Sequence, residues 1–529
     1  MTAAAGPARR RGLLLLFAAV VALRVGLLLL SQRGVCGDEA AVGVLAHHIL
    51  EQRERPVFAY HERYNGGAAL TAYAAAIAFS QFGSSEVVLK LVPLVLSLLA
   101  LLAVYALARS ARDEPTALLV TAVYGTSVML LKWSFDARGG YAEGQLLVPL
   151  MLWLLYARCL RPEGGTAWDD LGLGLLCGFG VYVFPLLGVA ALLAFGFLLW
   201  RSWTSRSWRG LALWCAGALA GAFPLLYYGA DTAPVSGGDA GALVWGLAKA
   251  PWVLLRGLAW DLPRAMAYDN LDDFPPLRLF PNAVEFAACG VAIVFLLWRR
   301  RAALGNVRLL LRQGSEQCAL RVPLEAILFA YVGLYFALYA LHPRAGEEAR
   351  HLLFLEPVLS ILTGLGCAEL LGAGAESGRA HLRRWAVALL ALLGADRAVQ
   401  IVRLAADDGI YGPLGRSDPR LAGEMLRFLA DHRIDHIMSE DWDLSWRVVF
   451  ESGERIKATH SSLWLGRLLR EQPARRGEHW ALVMPPVDAA EQVHVRKRLA
   501  RQGLLLPQHV AERDVYLLEP LQTTGQAAP

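Results

Sequence analysis

The chain has 529 residues, of which 56% are hydrophobic and 18% charged, and its mean hydropathy is +0.40. Soluble domains carry about 25% charged residues, so this composition argues against a purely soluble protein and predicts a polytopic membrane protein. The net charge of +5 is small, and most of the basic excess lies in short loops between apolar runs, which argues against a nucleic-acid-binding module. The seven cysteines are scattered singly, which argues against a disulfide scaffold.

The first apolar run covers residues 12–30 and follows three consecutive arginines. A secretory signal peptide and a membrane-spanning helix share this pattern. The run is long enough to cross the hydrocarbon core of a bilayer, and no A-x-A cleavage pattern follows it. We therefore predict a spanning helix. Arg24 is its one charge, which should either snorkel toward the membrane surface or find an internal partner; a role near a polar cavity is the less favoured alternative to snorkelling.

Further apolar runs of spanning length follow the first. The run at 171–200 is too long for one helix and contains Pro185, so it predicts two helices joined by a tight turn. The total is eleven predicted spans, of which 385–403 is the weakest because Asp396, Arg397 and Arg403 interrupt it. The other runs lie at 86–107, 116–132, 140–158, 211–228, 283–298, 324–341 and 351–372.

Arginines cluster in alternate loops between the predicted spans, which places these loops and the N-terminus in the cytoplasm. Three substantial pieces then face the opposite side: an external loop at 31–85, a second at 229–282, and the chain after about residue 404. The high Ala, Leu and Arg content is typical of bacteria. We predict a multi-pass protein of a bacterial inner (plasma) membrane, with an extracytoplasmic C-terminal domain.

The composition changes at about residue 405. The 125 residues from there to the end contain 34 Asp, Glu, Lys and Arg, against 63 in the preceding 404 residues. Helix-like patterns at 421–431 and 493–502 alternate with strand-like runs at 436–438, 446–451, 480–484 and 515–518. We therefore divide the chain into a transmembrane core, 1–404, and a small soluble α/β domain, 405–529.

The first external loop holds an acidic pair, Asp38 and Glu39, directly after the first span. Helix-like stretches at 41–52 and 67–82 are too polar or too short to cross a membrane, and predict two surface helices above it. Two interpretations of the pair remain open. Asp38 is a helix N-cap with Glu39 in the first turn, or the pair supplies the carboxylate that deprotonates an alcohol.

Several motifs in chain order resemble one family. They are Asp38-Glu39 after the first span, the Tyr64-Asn-Gly-Gly67 turn, Phe82-Gly-Ser-Ser-Glu86 opening the next span, Ala137-Arg-Gly-Gly-Tyr-Ala-Glu143, Arg350-His351 with Pro357, and the tail segment from Asp441-Trp442-Asp443 to Arg455. Together they resemble bacterial glycosyltransferases of family 39 type. These are GT-C membrane enzymes, similar to protein O-mannosyltransferases and to the aminoarabinose transferase of lipid A.

The resemblance implies an inverting transfer of a sugar from a polyprenyl-phosphate donor to a lipid, glycan or protein acceptor at the external membrane face. Asp38 would be the general base. Glu39 would help to position the acceptor, or would replace Asp38 as the base. The donor-phosphate candidates are Arg138, Arg350, Lys90 and His351, for which interfacial snorkelling is the alternative. The candidates for sugar or acceptor binding are Tyr64, His61, Tyr141 and Glu143; for the last two, an interfacial anchor and a helix-start acid remain equal alternatives.

His47, His48 and His61 share the first external loop with the acidic pair, which raises a metal site as an alternative. Asp38 with His47 or His48 lacks ligand spacing such as H-x-x-x-H, and the family that the motifs resemble is not expected to need a metal, so we expect no metal and no other cofactor. The alternative function is a transporter or lipid flippase for a glycolipid. It predicts repeat symmetry and helices broken at the bilayer midplane, neither of which the sequence indicates.

Overall fold

The computed structural model describes most of the chain. The described residues are 7–30, 34–59, 66–159, 166–229, 249–265, 279–313, 322–341, 349–376, 380–406, 419–439, 441–460, 479–484, 508–510 and 513–518. Helices dominate them, and one small sheet lies near the C-terminus. The largest cluster of buried apolar side chains lies among the helices between Val20 and Leu393.

The helices of the N-terminal half follow the apolar runs closely. The first is α1, and the two helices predicted above the acidic pair are α2 and α3. The run at 171–200 divides at Pro185, as predicted, because proline lacks the N–H that an unbroken helix needs there. The bounds are α1 Pro7–Leu30, α2 Gly37–Leu50, α3 Gly66–Phe82, α4 Glu86–Ala111, α5 Glu114–Gly125, α6 Val128–Trp133, α7 Tyr141–Leu154, α8 Ala167–Val183 and α9 Gly188–Ser205.

The later helices are less regular. A π-turn, Gly257–Asp261, follows α12, and a 3₁₀ segment, Ala349–Leu355, precedes α16. The bounds are α10 Arg209–Gly221, α11 Phe223–Gly229, α12 249–256, α13 Leu262–Ala265, α14 Leu279–Gln313, α15 Leu324–Leu341, α16 Glu356–Glu376, α17 Ala380–Ala406, α18 Pro419–Asp431 and α19 Trp442–Glu451.

Six helical segments in the described part of the chain are long and apolar enough to cross a membrane. The predicted span at 116–132 is divided at Thr126 into α5 and α6, and the one at 211–228 is divided into α10 and α11. The predicted total of eleven spans therefore stays a prediction. The six segments are Arg11–Leu30, Glu86–Ala111, Pro185–Ser205, Leu324–Leu341, Leu352–Ala373 and Ala380–Ala405.

Two charges inside the apolar segments, Arg397 and Arg24, are buried within the bundle. Arg397 of α17 forms an ion pair with Glu285 of α14, with an Nη2–Oε1 distance of 2.8 Å, and donates to the Thr126 hydroxyl at 2.9 Å. It also donates to the Val123 carbonyl at the end of α5. These contacts explain why a run interrupted by charges still forms a long helix. Arg24 is fully buried, so the snorkelling interpretation was wrong.

Helices α8 and α10 pack with their backbones in contact. A Cβ placed at Gly174 or Gly178 would collide with the Trp214 or Ala218 carbonyl oxygen of α10. The same holds in reverse for Gly217 and Gly221 against α8. The two glycine pairs, each spaced by four residues, form the small-residue contact typical of membrane helix pairs.

This contact leads to a prediction about stability. Gly178→Ala should lower the melting temperature of the detergent-solubilised protein, because the added methyl group forces the two backbones apart. The matched control is Gly172→Ala on the same helix, where a Cβ would meet nothing within 4 Å. Alanine favours a helix over glycine by about 1 kcal/mol, so the control should melt unchanged or higher. Equal melting of the two variants would contradict the close packing.

The C-terminal part contains a five-stranded sheet of order β2-β1-β3-β5-β4. The first three strands in this order are parallel, and β5 is antiparallel to both of its neighbours. The predicted strands at 436–438, 480–484 and 515–518 and the helix at 421–431 are confirmed, whereas the boundary at 405 stays a prediction. The strands are β1 His436–Ser439, β2 Lys457–His460, β3 Trp480–Met484, β4 Gln508–Val510 and β5 Arg513–Leu518.

The predicted strand at 446–451 was wrong, because these residues form the second half of α19. The β-branched Val448 and Val449 suggested a strand. A local start signal overrides them, since the Asp441 carboxylate accepts a hydrogen bond from the Leu444 N–H at 3.1 Å and caps the helix. Arg447 and Glu451, one turn apart, add an ion pair of 3.1 Å on the same helix.

Candidate active site

The acidic pair lies at one end of the helical bundle, where α1 ends and α2 begins. The N-cap of α2 is Cys36, and Glu39 accepts a hydrogen bond from the Cys36 N–H at 3.0 Å. Glu39 thus supplies the capping contact that the sequence analysis offered for Asp38, and the N-cap interpretation of Asp38 was wrong. Asp38 lies one position earlier, in the first turn, where the positive end of the helix dipole favours a carboxylate.

Asp38 points out of the bundle. Its side chain is 46% exposed, so a molecule outside the bundle can approach it. The Trp442 indole N–H donates a hydrogen bond to its Oδ1 at 2.9 Å, and Arg138 Nη1 lies near its other oxygen, 3.9 Å from Oδ2. An exposed carboxylate of this kind can accept a proton, and the role of Asp38 as a general base stays a prediction here.

Glu39 is enclosed, with only 2% of its side chain exposed. The Ala137 N–H donates to its Oε1 at 2.9 Å, and Lys90 Nζ lies 4.0 Å from its Oε2. Burial raises the pKa of Glu39, while the Lys90 ammonium and the two backbone N–H groups oppose the rise. Lys90 also donates to the Gly34 carbonyl at 2.9 Å. The side chains of Glu39 and Lys90 therefore connect the start of α2 with α4, and Glu39 also connects it with the loop before α7.

Arg138 belongs to the loop between α6 and α7. Its Nε lies 3.2 Å from Asp136 Oδ1, and its guanidinium lies over the Trp133 ring at 5.6 Å. The next two residues, Gly139 and Gly140, have φ of +72° and +84°, which favours glycine, and the loop touches the start of α3. The sequence "Arg-Gly-Gly" therefore turns the chain so that Arg138 reaches Asp38.

Tyr141 and Glu143 begin α7 and are both buried. Tyr141 lies in an aromatic cluster, with ring-centroid distances of 4.3 Å to Trp133, 5.3 Å to Phe184 and 6.3 Å to Phe354. Glu143 accepts a hydrogen bond from the Thr71 hydroxyl of α3. In the described structure they pack beneath the site; their predicted contact with a sugar or acceptor stays a prediction.

The C-terminal part reaches the site through the start of α19. Asp443 Oδ1 accepts a hydrogen bond from the Gly37 N–H at 2.6 Å, and a Cβ at Gly37 would lie 2.7 Å from the Asp443 Cα. Burial raises the pKa of Asp443, which the Gly37 N–H opposes. Trp442, the neighbouring residue, bonds Asp38. Residues about 400 positions apart in sequence thus form one surface.

The rest of α19 continues along α2. The Phe450 ring lies against Gly43, and its centroid is 5.9 Å from that of His47. Beyond the helix, Glu454 Oε2 lies 3.0 Å from His48 Nε2 and 3.0 Å from Arg53 Nη1. Apolar contacts near the middle and charged contacts at the far end fix α19 over the whole length of α2.

One cluster of donor atoms was tested as a metal site. The candidate ligand atoms of Cys36, Glu39 and Asp136 lie within 4.8 Å of one another. However, Glu39 already faces the Lys90 ammonium and accepts two backbone N–H groups. Burial raises the pKa of the Cys36 thiol, whereas a metal binds the thiolate. The cluster is poorly suited to a cation, and the expectation of no metal stays a prediction.

The remaining predicted residues cannot be placed by their side chains. His61 and Tyr64 lie outside the described residues, and Arg350 and His351 lie in the 3₁₀ segment before α16, whose backbone alone is described there. The sequence analysis missed Asp136, which contacts Arg138, and gave Trp442 no role beyond its place in the tail segment that resembles the family. Asp136 stands two residues before the "Arg-Gly-Gly" turn, and this spacing is the signal that could have identified it.

Comparisons with known proteins agree on the fold. The family model of dolichyl-phosphate-mannose-protein mannosyltransferases matches residues 67–228, a segment that includes Arg138 and most of α3 to α11. ArnT from Cupriavidus metallidurans in the apo state is similar over 97% of this chain and 98% of that chain, with a TM-score of 0.59 and 13% identity. The same protein bound to undecaprenyl phosphate gives a TM-score of 0.56 at 13% identity, covering 96% of this chain and 97% of that one.

A third similar structure is archaeal oligosaccharyltransferase AglB from Archaeoglobus fulgidus, in complex with an inhibitory peptide and a dolichol-phosphate. It has a TM-score of 0.53 and 12% identity, covering 89% of this chain and 69% of that one. A comparison with curated protein sequences gave no significant match. The resemblance seen in the motifs is thus confirmed, since the chain has the fold of GT-C glycosyltransferases and is a multi-pass membrane protein.

Proposed function

We propose that this chain, which has the GT-C fold, is an inverting glycosyltransferase that moves a sugar from a polyprenyl-phosphate donor to an acceptor hydroxyl at the external membrane face. The observation that carries the proposal is the exposed Asp38 carboxylate, 3.9 Å from Arg138 at the end of a bundle of apolar helices. The family-model match and the fold similarity to one structure bound to undecaprenyl phosphate and another in complex with a dolichol-phosphate support the use of a lipid-linked donor.

The chemistry follows from the positions of these two groups. Asp38 accepts the proton of the acceptor hydroxyl, and the hydroxyl oxygen of the acceptor forms a bond to the anomeric carbon of the sugar. The bond between that carbon and the phosphate oxygen breaks, and polyprenyl phosphate leaves with both bonding electrons. Arg138 binds the leaving phosphate, for which the planar guanidinium provides paired donors.

The burial of Glu39 supports inversion. A retaining mechanism of two displacements needs a second carboxylate that can attack the sugar. Glu39 is adjacent to Asp38 in sequence but only 2% exposed, and its oxygens face backbone N–H groups and Lys90. A single displacement with Asp38 as base is therefore the better-supported mechanism. We assign Lys90 to the counter-ion of Glu39, while Arg350 and His351 remain candidates for the phosphate.

The proposed function can be tested with donors of defined chain length and sugar. Membranes that contain the wild-type protein should transfer radiolabelled sugar from at least one polyprenyl-phosphate donor to an acceptor extract, and membranes without the protein should not. If no donor in the panel is consumed or hydrolysed, and the protein instead moves a labelled glycolipid across liposome bilayers, the transporter hypothesis replaces the enzyme.

A further inference from the structure

Trp442 lies at the start of α19 and touches the proposed base from the C-terminal part of the chain. Its indole N–H donates to Asp38 Oδ1 at 2.9 Å, and 39% of the residue is exposed. Asp38 itself is about half exposed, so few packing contacts restrict the rotation of its side chain. The indole N–H is therefore the group that fixes one carboxylate oxygen in a single direction.

Trp442 is itself held on two sides. On its own side, Asp441 caps α19 and pairs with Arg513 of β5 at 3.0 Å, which ties the helix start to the sheet. On the other side, Asp443 accepts the Gly37 N–H at 2.6 Å and anchors α19 to the start of α2. Donor and acceptor of the Trp442–Asp38 bond thus lie on two helix starts that are joined directly beside it.

The bond also leaves room for chemistry. It occupies Oδ1, whereas Oδ2 faces Arg138 at 3.9 Å, which is beyond hydrogen-bond distance. Among the described residues, no hydrogen-bond donor to Oδ2 occurs. A carboxylate held by one oxygen and open at the other is oriented for taking a proton, since a misplaced catalytic group can lower the rate 100-fold or so.

We propose that Trp442 is a positioning residue that orients Asp38 for proton transfer, so that the C-terminal domain completes the active site. This inference rests on the proposed function. It adds a requirement that the membrane helices alone do not meet, because the indole N–H comes from a segment that follows the last predicted span.

The experiment is a double-mutant cycle on sugar transfer with Trp442→Phe and Asp38→Asn. In the wild-type background, Trp442→Phe should lower kcat roughly 10-fold, as expected for the loss of a hydrogen bond to a charged group, and leave the KM values of donor and acceptor unchanged. In the Asp38→Asn background the same replacement should lower the residual kcat less than about two-fold, because the oriented carboxylate is already gone.

Trp446→Phe is the matched control. Trp446 lies one turn further along α19, and its ring packs edge-to-face against Trp442 with centroids 5.6 Å apart. The control should retain kcat, which separates the bond to Asp38 from the general effect of removing an indole from α19. A KM-only effect of Trp442→Phe would instead make Trp442 a part of the acceptor or donor site, and would overturn the positioning role.

Two further outcomes would also overturn it. An equal loss in both backgrounds means that Trp442 acts independently of Asp38, through packing or docking of the domain. A higher kcat in Trp442→Phe means that the indole covers Asp38 and hinders the acceptor. Failure of the proposed function looks different from both, because the wild-type protein would then transfer no sugar from any donor of the panel.

Discussion

Asp38→Asn is expected to lower the turnover of sugar transfer by roughly 100-fold or more, the contribution typical of a general base. Asparagine has nearly the same shape as aspartate but no basic oxygen. Its amide can still accept the indole hydrogen bond from Trp442, and the side chain is about half exposed, so the packing of α2 against α19 is retained. The melting temperature should therefore match that of the wild-type protein, and the rate loss can be assigned to chemistry.

The control for charge removal is Glu51→Gln at the other end of α2. Glu51 is exposed and pairs with Arg53 on the surface, where an ion pair contributes about 0–1 kcal/mol. This variant should transfer sugar at a rate close to that of the wild type. Initial rates from single-turnover and steady-state assays on purified protein measure both variants. Retained turnover in Asp38→Asn would exclude this residue as the base.

The sequence predicted the parts of the fold that depend on local patterns. The lengths of the apolar runs predicted helices of the bundle, and Pro185 predicted the break between α8 and α9. Short segments were harder, because a cap outweighs propensity: the Asp441 side chain starts α19 where two valines suggested a strand. The break at Thr126, between α5 and α6, was also missed. Arg397 of a distant helix donates there to the Val123 carbonyl and to the Thr126 hydroxyl, and this contact has no local signal in the sequence.

In the candidate site, too, the sequence predicted local features but not contacts between distant residues. Asp38 and Arg138 could be found from motifs, because the first turn of a helix and an Arg-Gly-Gly turn are local features. The residues that contact Asp38 and Arg138 could not be found in this way. Trp442 and Asp38 are 404 positions apart, and the tail segment that contains Trp442 resembles the family without indicating where its indole packs. The burial of Glu39 likewise depends on α4 and on the loop before α7.

Lys90→Met is expected to destabilise the protein strongly, by about 3 kcal/mol. Lys90 Nζ lies 4.0 Å from Glu39 Oε2, and both side chains are at most 3% exposed. Methionine fills a similar volume but leaves a buried carboxylate without its counter-ion, which is costly in a low-dielectric interior. The same variant also loses the 2.9 Å hydrogen bond to the Gly34 carbonyl, which connects α4 to the segment before α2. Thermal melting in detergent measures the loss.

The double variant Lys90→Met with Glu39→Gln separates charge from shape. Glutamine keeps an oxygen for one of the two backbone N–H groups, Cys36 or Ala137, and removes the buried charge. The pair should therefore melt well above Lys90→Met alone, because neutralising both partners removes the desolvation cost that a single replacement leaves behind. If Lys90→Met instead melts like the wild type and binds the donor more weakly, Lys90 acts on the donor phosphate, and the ion pair with Glu39 contributes little to stability. The counter-ion role predicts that Lys90→Met melts at a lower temperature, and the phosphate role predicts that it binds the donor more weakly without such a change. The wild type and these two variants, three proteins in all, therefore distinguish between the two roles.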